Sequence, residues 1–346
     1  MPADSRARWM RRLAVAGVLL CFVVVVLGAY VRLTAAGLGC PDWPGCYGHL
    51  SPSGAAHDAA QAGFASRPLE PGKAWREMVH RYAAGTLALV IAAIAALAVS
   101  ARRQRVVRVG FALTLLATVI VQAILGMLTV TWQLKPLVVT LHLLTGMTTL
   151  GMLWWLALSL PSGPWGASSL GGAGRSLRGG AAYIANAHHL ALLALAALAL
   201  QIALGGWTSS NYAAIACPDL PTCQGRWWPQ SDFRDAFVLW RAAKVDYEGG
   251  LLAPAARIAI HLTHRLGALL AAAALVLAAV FTLRQRGLSG ARLRAWAVLG
   301  ALALQLVLGV SMVVRGFPLW LATAHTAGAA LLLLAVLALV RYLSAR

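Results

Sequence analysis

The chain has 346 residues, 60% of them hydrophobic and only 11% charged, with a mean hydropathy of +0.74. Soluble domains carry about a quarter charged and about half apolar residues, so this composition excludes a soluble enzyme, a disordered chain and a disulfide-dense mini-protein. What remains is an all-α, polytopic integral membrane protein. The net charge of +19 raises nucleic acid as a partner, a question that charge placement answers. Five cysteines are too few for a disulfide scaffold, so any bridge is local.

Runs long enough to cross roughly 30 Å of hydrocarbon predict eight transmembrane helices, over 13–34, 78–100, 108–131, 137–160, 186–207, 258–283, 294–314 and 319–342. The first follows Arg6, Arg8, Arg11 and Arg12 like a signal peptide. It is too long for one and no convincing small-residue cleavage site follows it, so it counts as a membrane helix. The N-terminus, the loops 101–107, 161–185 and 284–293 and the C-terminus then share one side. That side holds most of the arginines and a single acid, Asp4. Every other acid lies opposite, mostly in the long loops 35–76 and 208–257. Positive charge in short loops sets orientation, so the arginine-rich side is expected to be cytoplasmic, with the opposite side oxidising if the membrane is a bacterial inner membrane. These arginines are flanks in a lipid bilayer without interleaved aromatics, and no nucleic-acid partner is expected.

The chain reads as a duplicated four-helix unit. CPDWPGC at 40–46 recurs as CPDLPTC at 217–223, and His80-Arg81 recurs as His264-Arg265. QAILGMLTV from Gln122 returns as QLVLGVSMV from Gln305, and His142 returns as His325. The offset is 177 residues at the cysteines and 183–184 in the helices, a shift placed in a loop, where insertions are tolerated. Each unit has an even number of helices, so the repeats are parallel rather than inverted. The expected organisation is an N-terminal half over 1–160, a Gly/Ser-rich cytoplasmic linker over 161–185 with Arg175 and Arg178, and a C-terminal half over 186–346.

Ionisable residues inside membrane helices are costly and mark function. His80 lies near the outer start of helix 2, and His142 lies six residues past Pro136, roughly 10 Å into helix 4. His264 and His325 repeat these positions. Two imidazoles per half, on different helices at one depth, are what a bis-histidine haem needs inside a four-helix bundle. Two histidines without a neighbouring carboxylate or thiolate make a poor tetrahedral set for zinc or copper. Arg81 and Arg265 suit either haem propionates or snorkelling to outer headgroups. Glu77, three residues before His80, is matched by His261, three before His264. That break in the repeat suggests one reactive haem and one helper, with Glu77 moving protons; the other account is a carboxylate stabilised at a helix N-terminus. Cys40/Cys46 and Cys217/Cys223 can close short loops on an oxidising side, either as staples over the haem mouth or as a redox couple. Cys21 is a buried, inert thiol of helix 1, and His188 and His189 are interfacial.

These residues together resemble the heme A synthase family over nearly the whole chain: Glu77-x-x-His80-Arg81, His142, His264-Arg265 and His325, with cysteine pairs in the first and third outer loops. The resemblance implies oxidation of the C8 methyl of heme O to a formyl group by successive hydroxylations, with oxygen from water. It implies a haem-dependent oxidoreductase that makes heme A for terminal oxidases. It assigns His80 and His142 to the substrate's iron, Glu77 to the catalytic carboxylate, and His264 and His325 to the iron of a haem b cofactor. Implied partners are heme O synthase, cytochrome oxidase assembly factors and an electron acceptor of unknown identity. The competing function is a di-haem b electron-transfer protein, which predicts two permanent haems and no product. A haem or lipid transporter would call for broken helices, which the sequence does not suggest.

Overall fold

A computed structural model describes residues 3–54, 68–104, 107–160, 180–242, 245–284 and 289–345. It is all-helical, with no β-strand among the described residues. Eight helices are long and apolar enough to cross a membrane. They are α1 (Ala3–Leu33), α2 (Pro71–Ser100), α3 (Val109–Thr131), α4 (Pro136–Ser159), α5 (Gly180–Ser210), α6 (Pro254–Leu283), α7 (Ser289–Val314) and α8 (Leu319–Leu343).

Five helices, α1, α2, α5, α6 and α7, begin four to ten residues before the apolar runs that predict them. α2 starts at Pro71 rather than 78, and α6 at Pro254 rather than 258. Hydropathy misses these first turns because they carry Lys73, Arg76 and Glu77, or Arg257. Proline at the first helical position has the right φ and loses no hydrogen bond there, and α4 begins the same way at Pro136. The expected linker over 161–185 falls outside the described residues as far as 179, and from Gly180 the chain is already α5.

The odd-numbered helices end alike at the cysteine-loop end. In each, a backbone N–H reaches back five residues: Ala36 to Val31, Leu134 to Thr129, Ala213 to Thr208 and Phe317 to Met312, at 2.7–2.9 Å. The residue before each donor has positive φ: Ala35, Gln133, Tyr212 and Gly316. This is the Schellman ending, which satisfies otherwise orphaned carbonyls. Three of the four positions lack glycine.

In the N-terminal half α1, α2, α3 and α4 contact one another in cyclic order, and α5, α6, α7 and α8 do the same. Contacts of α1 with α8, and of α4 with both α5 and α8, join the halves. At this seam Trp154 Nε1 donates to the Leu334 carbonyl at 2.9 Å. A Cβ on Gly151 would lie 2.9 Å from Leu337, so glycine permits the close approach of α4 to α8. The main packed core draws on Met10–Val24 of α1, Leu87–Ala98 of α2, Ala112–Val119 of α3 and Met147–Leu160 at the end of α4, with matching segments of α5–α8. Cys21 is buried in it. The core therefore occupies the end of the bundle away from the cysteine loops. His80, His142, His264 and His325 all lie beyond it, toward those loops.

Candidate functional site

The two cysteine loops are built on one plan. Cys40–Cys46 and Cys217–Cys223 are disulfide-bonded, as the paired motifs suggest. Cys46 and His49 exchange backbone hydrogen bonds across a two-residue turn at Tyr47 and Gly48, and Cys223 and Arg226 do so across Gln224 and Gly225. All four turn residues have positive φ, the signature of the tight hairpin turn. The carboxylate of Asp42 accepts from the N–H groups of Tyr47 and Gly48 at 2.6 and 2.8 Å. Asp219 accepts from Gln224 and Gly225 at 2.6 and 3.0 Å, and also from the Thr222 hydroxyl.

Each loop is clamped to the helix that carries a histidine. Arg81 Nη1 donates to the carbonyls of Asp42 at 2.9 Å, Pro44 at 3.2 Å and Gly45. Arg265 donates to Thr222 at 2.8 Å, Cys217 at 3.0 Å and Asp219 at 2.8 Å. Arg81 thus gives Nη1, and Arg265 both Nη groups, to loop carbonyls, contacts that neither the propionate nor the snorkelling reading anticipates. In the N-terminal half Arg81 also pairs with Glu77. Glu77 is only 4% exposed, and its other oxygen accepts from the Cys40 N–H at 2.8 Å. It sits six residues inside α2, past the first turn where the helix dipole is strongest. The dipole account of this carboxylate therefore weakens. His261, its counterpart, is also buried, with Nδ1 unpartnered and the ring edge-on to Phe317.

The four intramembrane histidines share a packing rule that hydropathy alone does not reveal. Each even-numbered helix sets its histidine against a glycine of the preceding odd helix. An added Cβ would meet the histidine Cε1 at 3.0 Å for Gly28 and His80, 3.2 Å for Gly126 and His142, 3.2 Å for Gly205 and His264, and 3.0 Å for Gly309 and His325. Three of these glycines follow a glutamine by four residues, one helical turn. Gln122 Nε2 lies 3.4 Å from His142 Nε2, Gln305 Nε2 lies 3.2 Å from His325 Nε2, and Gln201 Nε2 lies 3.0 Å from His264 Nδ1. In α1 the corresponding residue is Val24. The signal for this rule in the amino-acid sequence is the Q-x-x-x-G spacing of the repeated runs from Gln122 and Gln305.

All four histidines, together with Glu77 and His261, line one cavity of about 1590 Å³. Small-molecule pockets are roughly 300–1,000 Å³, so this space suits more than one large ligand. Its walls are mostly aliphatic, among them Val25, Leu143, Met147, Ile202, Leu275 and Leu302. His80 and His142 are close enough to interact electrostatically, as are His264 and His325. Buried polar atoms normally find partners. Here His80 Nδ1, His142 Nδ1 and His325 Nδ1 have none, nor do the side-chain oxygens of Gln201 and Gln305. Paired, half-buried imidazoles, three of them with a buried and unspent nitrogen, in a mostly apolar chamber fit ligation of haem iron.

Fold and site together define a polytopic membrane protein with two histidine pairs in an internal chamber beneath two disulfide-closed loops. The chain belongs to the cytochrome oxidase assembly protein family, whose sequence model matches residues 11–337. It is 41% identical over 330 residues to a heme A synthase of Shewanella oneidensis, covering 94% of this chain and 93% of that protein. Heme A synthases of Rhizorhabdus wittichii and Beijerinckia indica are 26% and 28% identical, over 96% and 94% of this chain and 92% and 89% of their own lengths.

Proposed function

We propose that the chain is a heme A synthase: it oxidises the C8 methyl of heme O to a formyl group, giving heme A for terminal oxidases. The observation that carries this reading is the asymmetry between two otherwise matched histidine pairs, in a chain so similar to proteins of that name. His80 and His142 hold the iron of heme O, beside Glu77. His264 and His325 hold the iron of haem b, where Glu77 is replaced by His261. Haem b, when bound through these two histidines, would supply electron transfer.

The conversion of a methyl to a formyl group consumes one water overall and releases four protons and four electrons. The electrons leave to an acceptor outside the chain. Proton acceptance falls to Glu77, the carboxylate of the chamber wall, held by the Cys40 N–H and Arg81. The aliphatic walls exclude bulk water and suit the farnesyl-derived tail of heme O. The disulfide loops cover the histidine end, which the arginine distribution assigns to the outer face of a bacterial inner membrane, with both termini cytoplasmic. Partners on this reading are heme O synthase as supplier and the oxidase assembly machinery as recipient.

The test is haem extraction from protein produced with and without a heme O synthase, resolved by chromatography and absorption spectrum. The expected result is haem b alone without that enzyme, and haem b with heme A or hydroxylated heme O in its presence. Two equivalents of haem b under both conditions would instead establish the di-haem electron carrier.

A further inference from the structure

Arg32 is a cation that the site described above does not use. It lies at the loop end of α1, four residues and about 6 Å along the helix from Gly28, the glycine against which His80 packs. Positions i and i+4 share a helix face, and Arg32 lines the same chamber as His80 and His142. At the corresponding place in the other three odd helices, one turn past the histidine-packing glycine, stand Val130, Ser209 and Val313. The cation therefore belongs to one of four otherwise matched positions.

Its surroundings come from the other half of the molecule. Nη2 donates to the carbonyls of Ser209 at 2.9 Å and Ser210 at 3.4 Å, at the end of α5. The guanidinium lies over the Tyr212 ring, 4.1 Å from its centroid. Two buried polar atoms, Arg32 Nε and the Tyr212 hydroxyl, lack a hydrogen bond of good geometry, although the two side chains attract one another, and Tyr212 also lines the chamber. Arg32 forms no ion pair among the described residues; Glu248 attracts it only at longer range. A guanidinium does not shed its proton, so its buried charge is best met by an anion. Arg81 meets that need with Glu77, whereas Arg265 spends most of its donors on carbonyls and keeps only an orphaned Nε.

We propose that Arg32 and Tyr212 form a carboxylate site spanning the two halves, which takes a propionate of the tetrapyrrole held by His80 and His142. The inference rests on the haem-binding reading of that pair. It gives the seam a role in ligand capture: α1 of one half and the end of α5 of the other must be correctly joined before the N-terminal half can hold its ligand. Because Arg32 also ties α1 to α5, the test must separate carboxylate binding from that tie.

The experiment titrates the full-length chain in detergent with haem b and with haem b dimethyl ester, whose propionates carry no charge, reading the Soret band. Wild type is expected to bind the ester about ten- to a hundredfold more weakly than the free acid at one of its two equivalents, the worth of a charge-assisted hydrogen bond. Arg32→Gln should weaken the free acid to the level of the ester at that equivalent, leaving the ester and the second equivalent unchanged. Tyr212→Phe, which keeps the ring under the guanidinium, should narrow the acid-to-ester ratio by several-fold and serves where Arg32→Gln fails to fold. Equal weakening of acid and ester would show that Arg32 is a seam tie alone and overturn the proposal. So would an unchanged ratio in both variants. A wild-type chain that binds neither haem would sink the underlying haem reading instead.

Discussion

The two halves share almost everything that shapes the chamber and differ in what can do chemistry there. Both have a disulfide loop on the same turn, an arginine clamping it, and two histidines packed on glycines. Among the described residues, the N-terminal half alone has a buried carboxylate, Glu77, linking the Cys40 amide to Arg81. The C-terminal half has His261 there instead, and a glutamine on both of its histidines where the first half has one. On the proposed reading the shared parts hold a flat ligand between two helices, and the differences mark which half is reactive and which is more tightly braced.

The largest expected effect breaks this asymmetry at Glu77. Glu77→Gln keeps the shape and the Arg81 contact but removes the proton acceptor, so heme A formation should fall by at least about a hundredfold. Haem b content should be unchanged, as judged by its absorption spectrum. The matching change, His261→Gln, should cost much less. If both variants lose activity equally with full haem b content, the division into reactive and helper halves is wrong.

A second test addresses what the halves share. Gly309→Ala places a Cβ 3.0 Å from His325 Cε1, and Gly28→Ala does the same to His80. Overpacking of this kind costs about 1–3 kcal/mol, so haem binding in the affected half should weaken by roughly ten- to a hundredfold. Each substitution should act on its own half: Gly309→Ala on haem b, Gly28→Ala on heme O. Gly300→Ala, whose Cβ meets nothing within 4 Å and which does not line the chamber, is the control. Haem-content measurements that show all three alike would remove the packing rule.

The extra glutamine gives a finer comparison. Gln201→Val gives α5 the residue that α1 has at Val24, and loses the hydrogen bonds to His264 Nδ1 and its carbonyl. One such bond is worth about 1 kcal/mol, so haem b should dissociate several-fold faster while substrate binding stays the same. Stopped-flow transfer of haem to a scavenger reads this directly. A change in the substrate half would mean that the chamber transmits more between halves than the packing suggests.

The histidines, Glu77 and the cysteine pairs are legible in the amino-acid sequence alone, since they are polar or reactive residues repeated or paired at fixed offsets against an apolar background. The glycines are not, because glycine is common in the chain and its meaning here lies in the helix facing it. Gln201 escapes because the repeat gives it no partner in α1. Arg32 has the appearance of a helix-end flank, and only the fold brings Ser209, Ser210 and Tyr212 to it across 177 residues or more. Arg81 and Arg265 stand out as residues but not in their contacts. The loop carbonyls they hold have no side-chain signature.

The smallest expected effect concerns Asp219 and Asp42, which perform the same turn-capping task with one difference. In CPDLPTC the threonine at 222 adds a hydroxyl donor to the aspartate, where CPDWPGC has Gly45. The Thr222 hydroxyl, followed by the N–H groups of Gly225 and Gln224, holds the Asp219 carboxyl below its ordinary value of 3.8. A carboxyl depressed on folding contributes stability that is fully present above that ordinary value and is lost as pH falls through the folded one. Asp219→Asn should therefore leave unchanged whatever acid sensitivity the first loop has, and remove part of that of the second. Hydrogen exchange at Gln224 and Gly225 across about pH 2.5–6 measures it. In wild type, protection should fall only toward the acid end of that range; in Asp219→Asn it should be lower and flat. Thr222→Gly, which copies the first loop, should move the wild-type fall to higher pH. An unmoved midpoint would mean that the two backbone donors alone set the carboxyl, and that the loops differ in sequence but not in how their turns are held.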